Sequence, residues 1–337
     1  MTDVYLHVGP VKTGSTFLQD LLWRHREDLA RQGYLHPAEH PNEIFLASND
    51  VQGCAFVRFE LPEAGGAWQA VRDRVLGYPG RVILSCEILG RSTPEHIDRI
   101  AASLAPARLH VVVMARSLAA ILPSLWQEKI KMVDPDVSWP DYLAAERGRG
   151  APASDASLIV RRWRRHVPAA RIHVITVPPP AAGRLLLLAR FAAATGLDVT
   201  GWQPDPEAAN ESLDLVQAEL IRRLNLATAG VMDWRAQRRL VNVVLLPRLR
   251  GAGPPLGPRL LVPASERGWI AAETARRIAA LRASQAVIHG DLAELEPPPG
   301  IWADGPQPVT DAGLLAEALR WLALSPAEPL PDPRDFT

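Results

Sequence analysis

Residues 4–16, VYLHVGPVKTGST, have the types and spacing for chemistry on a phosphorylated ligand. A short apolar run leads into Gly9. Lys12 follows in a tight loop, and Gly14-Ser15-Thr16 opens a stretch with Phe17, Leu18, Leu21 and Leu22 at helical spacing. Strand, glycine loop and helix make a phosphate cradle, because loop N–H groups point inward and the helix N-terminus adds partial positive charge. The loop departs from the nucleotide-triphosphate pattern G-x-x-x-x-G-K-[ST]. Ser15 stands where a lysine follows the second glycine, and Lys12 precedes Gly14 by two positions. The bland reading of the same residues is a glycine-rich turn with a solvated lysine.

Two further places carry candidate chemistry. Glu87 follows the apolar run VILSC, and a carboxylate at a strand end is either paired with a cation or poised as a base. Arg116 follows the run LHVVVMA, with Ser124 eight residues on. Pro123 is best tolerated in a helix's first turn, which predicts Ser124 near a helix N-terminus where anions are favoured. An arginine fork and a serine hydroxyl suit a second phosphate. The alternatives are a salt bridge for Arg116, a helix cap for Ser124 and a structural ion pair for Glu87.

These residues need elements to hold them. The runs 4–8, 81–85, 109–115 and 171–177 are apolar without alternation, as parallel strands buried on both faces are. Helical patterns over 16–31, 68–76, 94–104, 122–132 and 158–167 separate them, and another over 184–195 ends before Gly196. The alternation predicts an α/β fold of P-loop type, three layers of helix, mostly parallel sheet and helix. Ligands bind such sheets beyond the carboxyl ends of the strands, which makes the loop at 9–16, Glu87 and Arg116 neighbours. Past residue 198 a loop at Pro204 and Pro206 precedes a helix capped by Ser212, with apolar positions Leu213, Val216, Leu220 and Leu224. Residues 247–263 read as loop, and 265–295 as a long helix broken near His289-Gly290. No strand is expected in the C-terminal third. The expected organisation is one domain over 1–300, with a core at 1–200 and a helical extension at 201–300. A Pro-rich tail at 301–337 carries a short helix near 314–324, and its last ten residues are expected to be mobile.

Composition narrows the function classes. Of 337 residues, 47% are hydrophobic and 22% charged, an ordinary globular mixture. Lys+Arg and Asp+Glu both total 37, which recommends neither nucleic acid nor an anionic membrane as partner. Two cysteines, Cys54 and Cys86, make no disulfide framework and no structural zinc site, and either can be a small buried hydrophobe. The longest apolar stretch, 185–197, is interrupted by Arg190 and falls short of the ~20 residues of a spanning helix. With a strand beginning at Val4 there is no room for a secretory signal, so the chain reads as cytoplasmic.

Taken together, these residues resemble the sulfotransferases that use 3′-phosphoadenosine 5′-phosphosulfate. That family's first motif, K-x-G-[ST]-[ST], is matched by Lys12-Thr13-Gly14-Ser15-Thr16. Its later arginine with a serine eight residues on is matched by Arg116 and Ser124, and the glutamate of the heparan-type branch by Glu87. The run Ser124-Leu125-Trp126-Gln127-Glu128 with Lys131, and Asn210-Glu211-Ser212-Leu213 opening a helix, look like bacterial members of the group. The resemblance covers roughly residues 1–230. It implies that the loop amides, Ser15 and Thr16 hold the 5′-phosphate, and that Arg116 and Ser124 hold the 3′-phosphate. Lys12 would neutralise charge at the bridging oxygen, and Glu87 would take the proton from an acceptor hydroxyl or amine. It implies no metal. The acceptor is left open among glycan, lipid, peptide and small molecule.

The chain departs from the cytosolic small-molecule branch, which uses a histidine base that has no counterpart in a recognisable motif here. For that branch's late R-K-G-type loop the nearest stretch is Arg248-Leu249-Arg250-Gly251. Gln127 and Lys131, one helical turn apart, and Asn49-Asp50 are candidates to border the acceptor, as is a loop with His36 and His40. His7, His110 and His173 read as strand residues, Trp126 as core, and Arg161-Arg162-Trp163-Arg164-Arg165 as a solvated helix side with Trp163 turned inward. Two other readings stay open on the residues alone. One is a P-loop small-molecule kinase, which needs magnesium and γ-phosphate contacts; the other is a non-catalytic nucleotide- or glycan-binding module on the same fold.

Overall fold

The four unbroken apolar runs become the centre of one parallel sheet. The structure is a computed structural model, and it describes residues 1–55, 61–132, 137–203, 212–251 and 257–323. In chain order its first elements are β1 (Asp3–Val8), α1 (Ser15–Arg24), α2 (Arg26–Arg31), β2 (Tyr34–Leu35), α3 (Glu43–Val51), α4 (Ala67–Gly77), β3 (Arg81–Ser85), α5 (Pro94–Ser103), β4 (Arg108–Ala115), α6 (Leu118–Lys131) and α7 (Trp139–Arg149). There follow α8 (Ala156–Trp163), β5 (Ile172–Thr176), α9 (Arg184–Thr195), α10 (Leu215–Thr228), α11 (Trp234–Arg239), α12 (Leu246–Gly251), β6 (Val262–Pro263), α13 (Arg267–Ala283), β7 (Val287–His289), β8 (Trp302–Ala303) and α14 (Asp311–Ala323). The chain divides into two compact units. The first is Met1–Ile121, Arg149–Ala208 and Gly268–Pro299; the second is Leu122–Gly148, Ala209–Arg267 and Gly300–Thr337.

The first unit is built on a six-stranded sheet in the order β2-β3-β1-β4-β5-β7, every pair parallel. Its faces are read off by alternation along each strand. Val4, Leu6 and Val8 pack with Val82, Leu84, Val111, Val113 and Val174 against α3, α4, α5, α8 and α13. Ile83, Val112, Met114 and Ile175 pack the other way, against Leu18, Leu21 and Leu22 of α1, Leu29 of α2 and Phe191 of α9. Burial on both faces explains why these strands lack a polar side. The result is the expected three-layer α/β/α arrangement.

Several local expectations are corrected. The helix expected over 16–31 is two helices, broken at His25, whose ring stacks on Trp202 at 4.4 Å. The helix expected over 265–295 ends at Ala283, because Gln285 turns left-handed (φ 59°) and Ser284 bonds back to Leu281. The chain then forms β7, which pairs His173 with Val287 and Ile175 with His289. The C-terminal third thus supplies a strand of the main sheet. Finally, α6 begins at Leu118, so Pro123 lies inside it and Ser124 is past the first turn.

The second unit is mainly helical. The side-chain amide of Gln127 brackets the backbone of Leu213, donating to its carbonyl at 2.8 Å and accepting from its N–H at 3.2 Å. Asn225 donates to the Ile130 carbonyl at 2.7 Å. The helix expected from a Ser212 cap starts two residues later, capped reciprocally by Asp214 and Gln217. Its buried residues are Leu215, Gln217, Ala218, Ile221 and Asn225; of the expected apolar positions, Leu213 is buried just ahead of the helix and Val216, Leu220 and Leu224 are half-buried. The stretch 247–263, read as loop, contains α12 and β6, and β6 pairs in parallel with β8. Asn210-Glu211, the loop at Pro204 and Pro206, Leu324 and the last ten residues lie outside the described residues. Among the described residues no helix is long and apolar enough to cross a membrane.

Candidate active site

The loop after β1 is held in shape by backbone contacts at the carboxyl edge of the sheet. The Gly9 N–H donates to the Glu87 carbonyl at 3.2 Å, and the Met114 N–H donates to the Gly9 carbonyl at 3.2 Å. A Cβ on Gly9 would lie 2.6 Å from that Glu87 oxygen and 3.3 Å from the Cα of Gly90, so no other residue fits. Thr13 is fully buried and its hydroxyl donates to the Pro10 carbonyl at 2.7 Å. Its side chain therefore stiffens the loop, leaving its backbone for a ligand. Gly14 caps α1 in the left-handed region (φ 92°) with no side-chain hydrogen bond to the helix. The first N–H groups of α1 are thus left without a capping side chain, the arrangement that favours an anion. Ser15 is buried beneath this turn and Thr16 is exposed.

Glu87 opens a short 3-10 turn, Glu87–Arg91, directly after β3 and Cys86. Its carboxylate Oε2 accepts a hydrogen bond from Gln19 Nε2 at 2.7 Å, and the same amide reaches the Ser85 carbonyl at 3.3 Å. Gln19 was not among the residues expected in the site. The available signal is its helical register, four residues after Ser15 and three after Thr16, away from the apolar Leu18-Leu21-Leu22 face. Beneath it, His7 Nδ1 and Ser85 Oγ lie 2.7 Å apart on paired strands. Complete burial pushes the His7 imidazole down to about 4, which keeps it neutral. Burial, with the neighbouring Glu87 charge, pushes the Cys86 thiol up to about 12, so it stands in the core as an inert small hydrophobe.

Arg116 sits immediately past β4 and its Nη1 donates to the carbonyl of Lys12 at 2.6 Å. Lys12 has φ 64°, a conformation most side chains avoid, and this charge-assisted bond helps hold it there. Arg116 also borders a small pocket with Leu118, Ser157, Thr274 and Arg277. Arg277 is committed to structure there, donating to Glu273, Ser154, Gly150 and Ala151. The first unit therefore brings the loop residues Lys12, Thr13, Gly14, Ser15 and Thr16 together with Glu87 and Arg116. Ser124 belongs to the second unit, in the body of α6 and half-buried.

Several of the remaining candidates have structural partners. Asn49 is buried and donates to Phe45, and Asp50 accepts from the Trp68 N–H at the start of α4. Gln127 is spent on Leu213, as described above. Trp126 and Trp163 are buried, as expected. His36 packs edge-on against Trp23, and burial pushes it down to about 4. Arg248 is on α12, in place of the expected loop, with its guanidinium over the Trp321 ring.

No family model matches the sequence, and no curated protein matches it. Among solved structures the chain is similar to a sulfotransferase from Alicyclobacillus acidocaldarius, at 17% sequence identity and a TM-score of 0.41, covering 70% of this chain and 98% of that one.

Proposed function

We propose that this protein moves a sulfuryl group from 3′-phosphoadenosine 5′-phosphosulfate to a hydroxyl or amine of an acceptor. The observation that carries the reading is one sheet edge where an uncapped helix N-terminus, the loop of Lys12 with Arg116 bonded to its backbone, and Glu87 bonded to Gly9 and Gln19 all meet. In this scheme the amides that open α1, with Ser15 and Thr16, receive the 5′-phosphate. Arg116 is assigned to the 3′-phosphate, and Ser124 joins it on sequence spacing alone. Glu87 accepts the proton as the acceptor oxygen or nitrogen bonds to sulfur. The sulfur–oxygen bond to the nucleotide breaks in line, and Lys12 offsets the charge left on the departing adenosine 3′,5′-bisphosphate. Such a reaction needs positioning and charge stabilisation more than covalent chemistry from the protein.

Isothermal titration tests the donor assignment. Adenosine 3′,5′-bisphosphate should bind at least about tenfold more tightly than adenosine 5′-phosphate, since only the former engages an arginine site. Equal affinity for the two would count against the reading. Donor hydrolysis tests the roles: Lys12→Ala should slow it by about 10²–10³ and Glu87→Gln by about 10²–10⁴. Unchanged turnover in both variants would remove these assignments.

A further inference from the structure

One contact in the site has no role in the scheme above. The Gln19 amide reaches two acceptors at once, Glu87 Oε2 at 2.7 Å and the Ser85 carbonyl at 3.3 Å. Both partners are acceptors, so the NH₂ end of the amide must face them, and the orientation of the group is fixed by its surroundings. Ser85 is itself anchored, its hydroxyl against His7 across the β1–β3 pair and its strand buried on both faces. Gln19 also stands one turn above Ser15 on α1, the helix whose first turn forms the anion cradle. One helix therefore presents the cradle at its first turn and grips the carboxylate at its second.

We infer that Gln19 is a positioning residue for Glu87, fixing one carboxylate oxygen so that the other is presented to the acceptor, and tying that presentation to the donor cradle through α1. The inference rests on the reading of Glu87 as the proton acceptor. The chemistry favours an amide at this place. A neutral donor locks one oxygen without adding a full positive charge, which would make the carboxylate a poorer base, and without adding a second carboxylate that would compete for the proton. It also leaves the charge balance of the cradle to Lys12 and Arg116.

The test measures hydrolysis of 3′-phosphoadenosine 5′-phosphosulfate against pH for the full chain and for Gln19→Ala, Gln19→Glu and Gln19→Lys, with adenosine 3′,5′-bisphosphate titrated into each. Gln19→Ala should lower kcat by about 10–100-fold through misplacement of the base. Its affinity for the bisphosphate should stay within about threefold, since the donor cradle is intact. The charged variants should move the acid limb of the kcat profile in opposite directions by about one pH unit or more, up for Gln19→Glu and down for Gln19→Lys. A purely structural role predicts instead that Gln19→Ala loses bisphosphate affinity and folding stability along with kcat, since nothing then confines the damage to the base. Coincident limbs, or a Gln19→Ala variant with unchanged kcat, would overturn the inference while the parent enzyme stays active. If one charged variant fails to bind the bisphosphate, the other together with Gln19→Ala still decides. A parent chain that neither binds the bisphosphate nor hydrolyses the donor would instead defeat the sulfuryl-transfer reading.

Discussion

Lys12 stands at φ 64°, where a side chain with a Cβ costs about 1 kcal/mol, and something must hold it there. The Arg116 guanidinium does so through the Lys12 carbonyl. Arg116 therefore acts on the loop before any ligand arrives, and its removal should show in two separable measurements. Arg116→Ala should lower the stability of the ligand-free protein by about 1–2 kcal/mol in urea denaturation, the worth of a charge-assisted hydrogen bond. In the sulfuryl-transfer reading it should also weaken adenosine 3′,5′-bisphosphate binding. Loss of affinity with an unchanged urea midpoint would mean that the contact to Lys12 carries no weight. At Gly9 the constraint is steric: a methyl group would strike the Glu87 carbonyl at 2.6 Å, and backbone cannot step aside as a side chain can. Gly9→Ala should cost about 2–3 kcal/mol and should displace Glu87 with it, so that turnover falls more steeply than stability. A fully stable, fully active Gly9→Ala protein would contradict the close approach.

Among elements, β7 is a thinly supported edge of the main sheet: three residues, of intermediate or higher exposure. What fastens this corner is the pairing of Arg190 on α9 with Glu294, a two-pronged contact at 2.6 and 2.8 Å, with Thr176 at the end of β5 bonded to both. The two side chains are only 14% and 20% exposed, so removing one strands the other in a poorly hydrated place. Glu294→Ala should therefore destabilise the protein by about 2 kcal/mol, read by urea denaturation, and should speed amide hydrogen exchange at β7 before the rest of the sheet. Exchange that rises uniformly would show that β7 is fastened elsewhere. The same corner explains what the sequence could and could not disclose. Strands β1, β3, β4 and β5 are five residues or longer and buried on both faces, so their apolar runs stand out. Two residues at β2 and three at β7 leave no such run, and the β7 residues fell inside the pattern read as a helix over 265–295, whose expected break at His289-Gly290 lies past the left-handed turn at Gln285. Pro123 pointed to a helix start because proline favours that position, yet the apolar Leu118, Ala119, Ile121 and Leu122 carry α6 through it. Lys12, Glu87 and Arg116 were legible because the carboxyl-edge rule gathers strand ends. Gln19 was not, because a glutamine on a helix has no signature until the strand end it faces is known.

For the whole molecule the sequence gives a net charge of zero near neutrality, so acidification adds charge to a chain that starts balanced. The structure says which protons matter first. Burial pushes His7, His36 and His173 each down to about 4, and the adjacent His289 and His110 charges add to the cause at His173. His173 Nδ1 and His289 Nε2 share a hydrogen bond at 3.0 Å, so charging both rings would place two cations side by side. In the unfolded chain these groups titrate near 6.5, and the folded values lie below that. The unfolded state therefore binds more protons throughout the interval, and stability must fall as pH falls. The loss begins as pH drops through about 6.5 and is complete only near the folded values of about 4, with each linked histidine steepening the dependence by at most about 1.4 kcal/mol per pH unit. Carboxylates such as Asp3, held low by its hydrogen bond from Arg108, act in the same direction, but only once pH approaches their own range near 4. The window between pH 6.5 and 5 thus belongs to the histidines. Urea midpoints measured at pH 7.5, 6.0 and 5.0 should decline in order, and His173→Gln should flatten the decline over that window. A midpoint that holds constant or rises between pH 7.5 and 5.0 would show that the buried imidazoles gain charge without cost, and the burial that defines this sheet would have to be drawn differently.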